Sequence, residues 1–326
     1  MKINILGKVN RLNYKSFSNA DFPAYEVFLG SEKDFKYLPA MARRLKIASV
    51  HEPAGGFDLA APEEKGKKSY ALMVRLLNRL DGLGFNGVMV IHGVFYNELK
   101  KNKAVCQKTL AKRLDKLALK FRNIKISLET DILFFNQIED NRALVGSPED
   151  FLELKKYLKS RLYITLDFEH VLISALFQDF IKKNKKHYRR IKNLAEINLP
   201  FSLEAKTAWF NYLKKNTPNF DKIYSASLKK YEKLNGAIIH FHLSPSDMFG
   251  YWFDEKIFAP LKGEHLSIGQ ANDKLNYSLI KRYLPELTIA RPINVVLEIW
   301  PRKTGRYVLE LKQSGKIIKN KWRMKN

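Results

Sequence analysis

The stretch "LYITLDFEHVLI" (residues 162–173) decides how the chain is to be read. Its first five residues, Leu162 to Leu166, are apolar or β-branched or aromatic, the composition of a strand. The run then stops on Asp167, and His170 follows three residues later. A buried strand that ends on a carboxylate, with an imidazole just beyond, is a strand whose carboxyl end opens onto chemistry.

The same design recurs on both sides. Strand-like runs lie at 3–9 (INILGKV), 46–51 (KIASVH), 87–92 (GVMVIH), 124–129 (IKISLE), 237–242 (AIIHFH), 265–269 (HLSIG) and 293–298 (INVVLE). Amphipathic helical stretches separate them, such as 69–84, 104–121 and 147–160. The last opens on Ser147 as N-cap, with Glu149 and Asp150 in its first turn. Gly84 and Gly87 mark a return to strand. The strand ends at 51, 92, 129 and 167 fall roughly 40 residues apart, the length of one βα unit. Eight strands alternating with helices in 326 residues predict one α/β domain over 1–326, a (β/α)8 TIM barrel. The rival, an open doubly wound sheet, lacks its glycine-rich fingerprint here.

One interval is about twice a unit, from Asp167 to His242. Its surplus, residues 180–215, is expected to form a basic helical insertion between strands 5 and 6 that projects from the barrel. Lys182, Lys183, Lys185, Lys186, Arg189 and Arg190 could grip a polyanion, and a solvated helical hairpin is the plainer alternative. The whole chain carries 58 basic against 33 acidic residues, net +25, a field that attracts phosphates and makes nucleic acid a candidate partner. Lysines scattered over solvated helices would give the same sum. No run of 18 apolar residues is present, so no membrane span is expected. The first residues lack a signal peptide's apolar core, and Cys106 is the only cysteine; both favour a reducing, cytoplasmic setting.

Nearly every strand candidate finishes on a ligand-type side chain: His51, His92, Glu129, Asp167, His242, His265 and Glu298. In a barrel these ends share one mouth. Gathering so many carboxylates and imidazoles would be costly without a cation. Mixed carboxylate and imidazole donors suit Mn2+, Zn2+, Co2+ or Fe2+ better than Ca2+, and Mg2+ stays among the candidates. His170 leans over the same mouth, while His240 lies a layer deeper and reads as structural.

These residues resemble the xylose isomerase-like TIM barrel superfamily, which holds sugar isomerases and epimerases and the family-2 AP endonucleases of the endonuclease IV type. The resemblance rests on "SVHEPAGGFDLAAP" (49–62), "VIHG" (90–93), "SLET" (127–130), "TLDFEH" (165–170), "HFHLSPSD" (240–247), "HLSIGQAN" (265–272) and "VLEIW" (296–300). In the sugar branch it implies one divalent metal held by a strand-4 Glu, strand-5 Asp, strand-6 His and strand-8 Glu: Glu129, Asp167, His242 and Glu298. Glu129 and Glu298 would also move the proton of a small carbohydrate-like substrate, and His51, His92 and His170 would bind its hydroxyls. Ketose 3-epimerases carry an Arg six residues after the strand-6 His, where this chain has Met248. In the endonuclease branch the resemblance implies three zinc ions on His51, His92, Glu129, Asp167, His170, His242, His265 and Glu298. That branch's ninth ligand falls on Gly263, and its GEG is GQA (269–271) here. The sequence therefore favours a metal-dependent isomerase or epimerase, because its four ligands are all present. A zinc phosphodiesterase acting on DNA and a non-catalytic binding barrel stand as alternatives.

Overall fold

Period-two alternation along the chain closes a barrel of eight parallel strands, in a computed structural model. The structure describes residues 2–53, 57–61, 63–92, 95–97, 102–131, 141–184, 203–245, 253–254, 257–260, 266–269, 273, 275–299 and 306–323. The barrel strands are β1 (Ile3–Val9), β2 (Tyr25–Phe28), β3 (Ile47–His51), β4 (Val88–His92), β5 (Lys125–Glu129), β6 (Tyr163–Asp167), β7 (Ile238–Leu243) and β8 (Ile293–Leu297). Each pairs with its sequence neighbours, and β8 returns to β1 with Ile3 opposite Ile293. This is the (β/α)8 barrel that the alternation predicts.

Two assignments along the sequence differ. The second strand is Tyr25–Phe28, a four-residue segment with a charged residue in its middle. The run at 265–269 is not a strand over its described part, Leu266 to Gly269. Its amides bond to loop and helix instead: Leu266 N–H to the Pro245 carbonyl, Ile268 N–H to Ser314 Oγ. The count of eight survives because one strand was missed and one added. The ordinals shift with it: Glu129 ends the fifth strand and Asp167 the sixth, His242 stands one residue before the end of the seventh, and Glu298 follows the eighth.

Outward side chains such as Leu128, Leu166, Ile164 and Phe241 pack the main core between the strands and the surrounding helices. Those helices are α1 (Leu38–Arg44), α2 (Glu64–Gly82), α3 (Lys103–Lys120), α4 (Pro148–Lys155), α5 (Phe168–Lys183), α6 (Leu203–Asn216), α7 (Phe220–Tyr231), α8 (Tyr277–Leu287) and α9 (Tyr307–Lys321). Local chemistry sets their ends. Ser147 caps α4 in a full capping box with Asp150, with Pro148 at the first turn. Gly84 takes φ +68° after α2, and at Gly87 a Cβ would meet the Ala48 carbonyl at 2.3 Å. Within the region expected as an insertion, α6 lies against α5. Trp209 stacks edge-on to Phe180 and Phe177 at 5.3 and 5.9 Å, and Tyr212 donates to Asp179 at 2.6 Å. These aromatics are buried and do not offer faces to a nucleic acid. Lys185, Lys186, Arg189 and Arg190 lie outside the described residues.

Candidate functional site

Inward positions alternate with the core positions, so each contributing strand sends two polar side chains into the barrel. The lower layer holds Ser49, Ser127, Thr165 and His240. The upper layer holds His51, Glu129, Asp167 and His242. All eight are buried. Ser127 and Thr165 hydroxyls close on each other at 2.8 Å across β5 and β6. Two further charges enter from strands on which no site residue was expected: Lys8 on β1 and Glu26 on β2, adjacent in register.

At the upper layer, Glu129, Asp167, His242 and Glu298 each bring one ligand atom to within 4.8 Å of the others. His242 Nδ1 stands 2.8 Å from Glu129 Oε1 and 3.0 Å from Glu298 Oε2. Asp167 is fixed by backbone donors: the amides of Glu169 and His170 reach Oδ1 at 2.7 and 3.0 Å. These amides open α5, so the Asp167–His170 spacing is a strand end turning into a helix start. His170 Nδ1 donates to the Thr130 carbonyl at 2.6 Å.

The electrostatics are those of compressed charge. Burial pushes the Glu129 carboxyl up, but the His242 and His92 charges outweigh it and hold Glu129 well below its ordinary range. Burial lowers His242, yet Glu129, Glu26 and Glu298 together raise it well above the usual imidazole range. Its ring carries a proton at Nδ1 facing two carboxylates, which is the place a cation would take. Asp167 is raised, chiefly by burial. Three carboxylates and one imidazole converging on one point fit a divalent metal of the borderline class, so the residues present suit such an ion.

His51 and His92 face the same carboxylate from the other side. His51 Nδ1 donates to the Glu52 carbonyl at 3.0 Å, which turns Nε2 toward Glu129 Oε2 at 3.1 Å. Burial and the Lys8 charge lower the proton affinity of His51, against the opposing pull of Glu129. His92 Nδ1 lies 3.8 Å from the same oxygen and 3.6 Å from Asp131, without a hydrogen-bond partner. His265 and Gly263 lie outside the described residues, as does Met248.

Sequence reading missed Lys8, Glu26, Glu52 and Asp131. Lys8 Nζ bonds to Glu298 Oε1 and lies 3.2 Å from Glu26 Oε1, off the hydrogen-bond axis. Its signal was a lysine inside the apolar run 3–9. Glu26 gave little signal, because β2 is short. Glu52 accepts the His92 and Phe57 amides at 2.7 and 2.9 Å, tying the loop after β3 to β4.

No family model matches the chain, and no curated protein matches it in sequence. Solved structures do match in shape. A D-tagatose 3-epimerase-like protein aligns over 99% of this chain and 100% of its own, at 19% identity and TM-score 0.57. The IOLI protein, solved with a zinc atom, aligns over 99% of both chains at 12% identity and TM-score 0.57. A family-2 AP endonuclease from Brucella melitensis aligns over 95% of this chain and 97% of its own, at 13% identity and TM-score 0.53. The fold is therefore that of the xylose isomerase-like TIM barrels. At these identities the likeness establishes the fold, and the chemistry has to be argued from the side chains.

Proposed function

We propose that the chain is a divalent-metal-dependent enzyme of the sugar isomerase or epimerase kind, acting on a small polar carbohydrate or its phosphate. The observation that carries this reading is the four-residue cluster of Glu129, Asp167, His242 and Glu298 at the barrel mouth. Those residues would hold Mn2+, Zn2+, Co2+ or Mg2+. When bound, the ion polarises a carbonyl or hydroxyl and so acidifies the neighbouring C–H. Glu129 and Glu298 come from strands three places apart around the barrel and approach His242 from either side. One takes the proton from the substrate carbon and the other returns one. His51, His92 and His170 bind hydroxyls around that carbon. The enzymes among the matched folds, sugar epimerases included, support this assignment. The single cysteine, Cys106, is buried and fits a cytoplasmic setting.

The test is solvent exchange. Protein loaded with each metal should wash deuterium from solvent into one sugar or sugar phosphate of a panel, and Glu298→Gln should abolish it. No exchange with any sugar of the panel, with sugar binding unchanged in Glu129→Gln and Glu298→Gln, would turn the reading toward a binding barrel.

A second reading, a zinc phosphodiesterase acting on DNA, has its own observation. His51 Nε2 and His92 Nδ1 stand 3.1 and 3.8 Å from the same oxygen, Glu129 Oε2, the grouping that two imidazoles and a carboxylate would make around a second cation. The net charge of +25 suits a phosphate backbone. Zinc-dependent nicking of DNA at an abasic site, lost in His51→Ala and His92→Ala, would replace the first reading with this one.

A further inference from the structure

Glu26 is a charged group, fully buried in the barrel, that neither reading above uses. An ionised carboxylate only accepts hydrogen bonds, so every partner around it must donate. The partners of Glu26 Oε2 are Ser49 Oγ at 2.8 Å, His240 Nε2 at 3.1 Å and His242 Nε2 at 3.2 Å. Lys8 faces Oε1. Both histidines therefore carry a proton on Nε2. For His240 the consequence is visible: its Nδ1 is buried without a hydrogen-bond partner. That is the state of a neutral ring whose one proton has been drawn to Glu26. For His242 the consequence falls on the cluster at the mouth. With Nε2–H turned to Glu26, Nδ1 is the nitrogen left facing Glu129 and Glu298.

We infer that Glu26 is the positioning residue of the metal centre. It selects the His242 tautomer, fixes the ring's rotation about β7, and aims Nδ1 at the ion. The three groups Glu26, His240 and His242 also lie within 4.8 Å of one another. Ser49 donates to the same carboxylate and Lys8 sets its charge beside it, so this lower cluster serves the site above. A carboxylate on the far nitrogen of a metal-bound histidine raises the ligand's basicity, and losing it weakens metal binding 10–100-fold in general. The inference rests on the proposal that His242 is a metal ligand.

The experiment uses the full chain, labelled with 15N-histidine and loaded with Zn2+, a diamagnetic candidate that binds imidazole well. The seven histidines are resolved by two-bond 15N–1H correlation, and His242 is assigned by its loss in His242→Gln. The expected result is a protonated Nε2 and a metal-shifted Nδ1 on His242. The second arm measures zinc affinity by chelator competition, with Glu26→Gln expected to bind 10–100-fold more weakly than the natural protein. A zinc-loaded protein with His242 bound through Nε2 would overturn the inference without touching the metal assignment, and it needs no variant to fold. A folded Glu26→Gln protein with unchanged affinity would do the same. Natural protein that takes up no zinc would overturn both.

Discussion

Lys8→Met is the perturbation whose outcome is most closely set by the structure. Methionine keeps an unbranched apolar stem of similar length and removes one charge. Lys8 is 4% exposed, bonds to Glu298 and stands 3.2 Å from Glu26, which is fully buried. In metal-free protein the variant leaves both carboxylates short of a cation. Removing one partner of a buried pair destabilises by about 3–5 kcal/mol. A chain of 326 residues unfolds with an entropy near 0.7 kcal/mol/K, at roughly 2.1 cal/mol/K per residue, so the melting temperature should fall by about 4–7 °C. The loss should depend on conditions in two ways. Saturating Zn2+ or Mn2+ should narrow the gap, because the ion supplies positive charge beside Glu298. Burial alone would push the Glu26 carboxyl up, and it is His242 and Lys8 that hold it well below its ordinary range. Without Lys8, a proton can stand in for the lost cation as the pH falls toward the ordinary carboxylate range, so the deficit should be largest near neutral pH and shrink on acidification. Calorimetry or circular-dichroism melts in chelator at about pH 8 and about pH 5 measure this. A variant that melts at or above the natural temperature in chelator at the higher pH would refute the reasoning.

Four further outcomes are expected. The double variant Glu129→Gln, Asp167→Asn should lose its metal on elemental analysis of protein purified without chelator, whereas the natural chain should retain one equivalent or more. Burial lifts the Glu52 carboxyl to about 7, against the opposing pull of His92 and two amide donors. Its folded pKa is raised, so between about pH 4.5 and 7 the folded state keeps a proton that the unfolded chain has released. Stability should therefore fall with rising pH across that window, by up to about 3 kcal/mol in all. Chemical denaturation across it, with Glu52→Gln flattening this component, measures the effect. Trp209→Ala should destabilise by about 3–5 kcal/mol in urea unfolding and leave the salt slope of any nucleic-acid binding unchanged, because that ring is packed against Phe177 and Phe180. Neutralising Lys182 and Lys183 should flatten the slope if that surface binds a polyanion.

Much of the barrel was legible in the chain, for a local reason. Where a strand is buried outside by helices and lined inside by a site, alternation writes both faces into consecutive residues. Ser127–Leu128–Glu129 and Thr165–Leu166–Asp167 show it, with polar residues inward and Leu128 and Leu166 in the core. The side chains at those strand ends, Glu129, Asp167 and His242, could therefore be named in advance, with Glu298 just beyond β8, and the structure brings all four together. The same local rule failed where it had too few residues to act on. Tyr25–Phe28 is too short to show a period, and it places its one charge inward. Leu266 to Ile268 alternates like a strand but finds its hydrogen bonds at Pro245 and Ser314. Periodicity states that a side chain is buried, and it is silent on which backbone will pair with it.

What the sequence by itself determined is the βα repeat, the closed parallel barrel and the ring of ligand-type residues at strand ends, because each depends on neighbours in the chain. What only the tertiary structure decided is how the charges inside compensate one another. Lys8 and Glu298 are almost the whole chain apart, and Glu26 meets His240 and His242 across the barrel. Their partnership exists only once β8 closes on β1 and β2. Coulomb and hydrogen-bond energies depend on distance in space within a water-poor interior, and no spacing along the sequence encodes that distance.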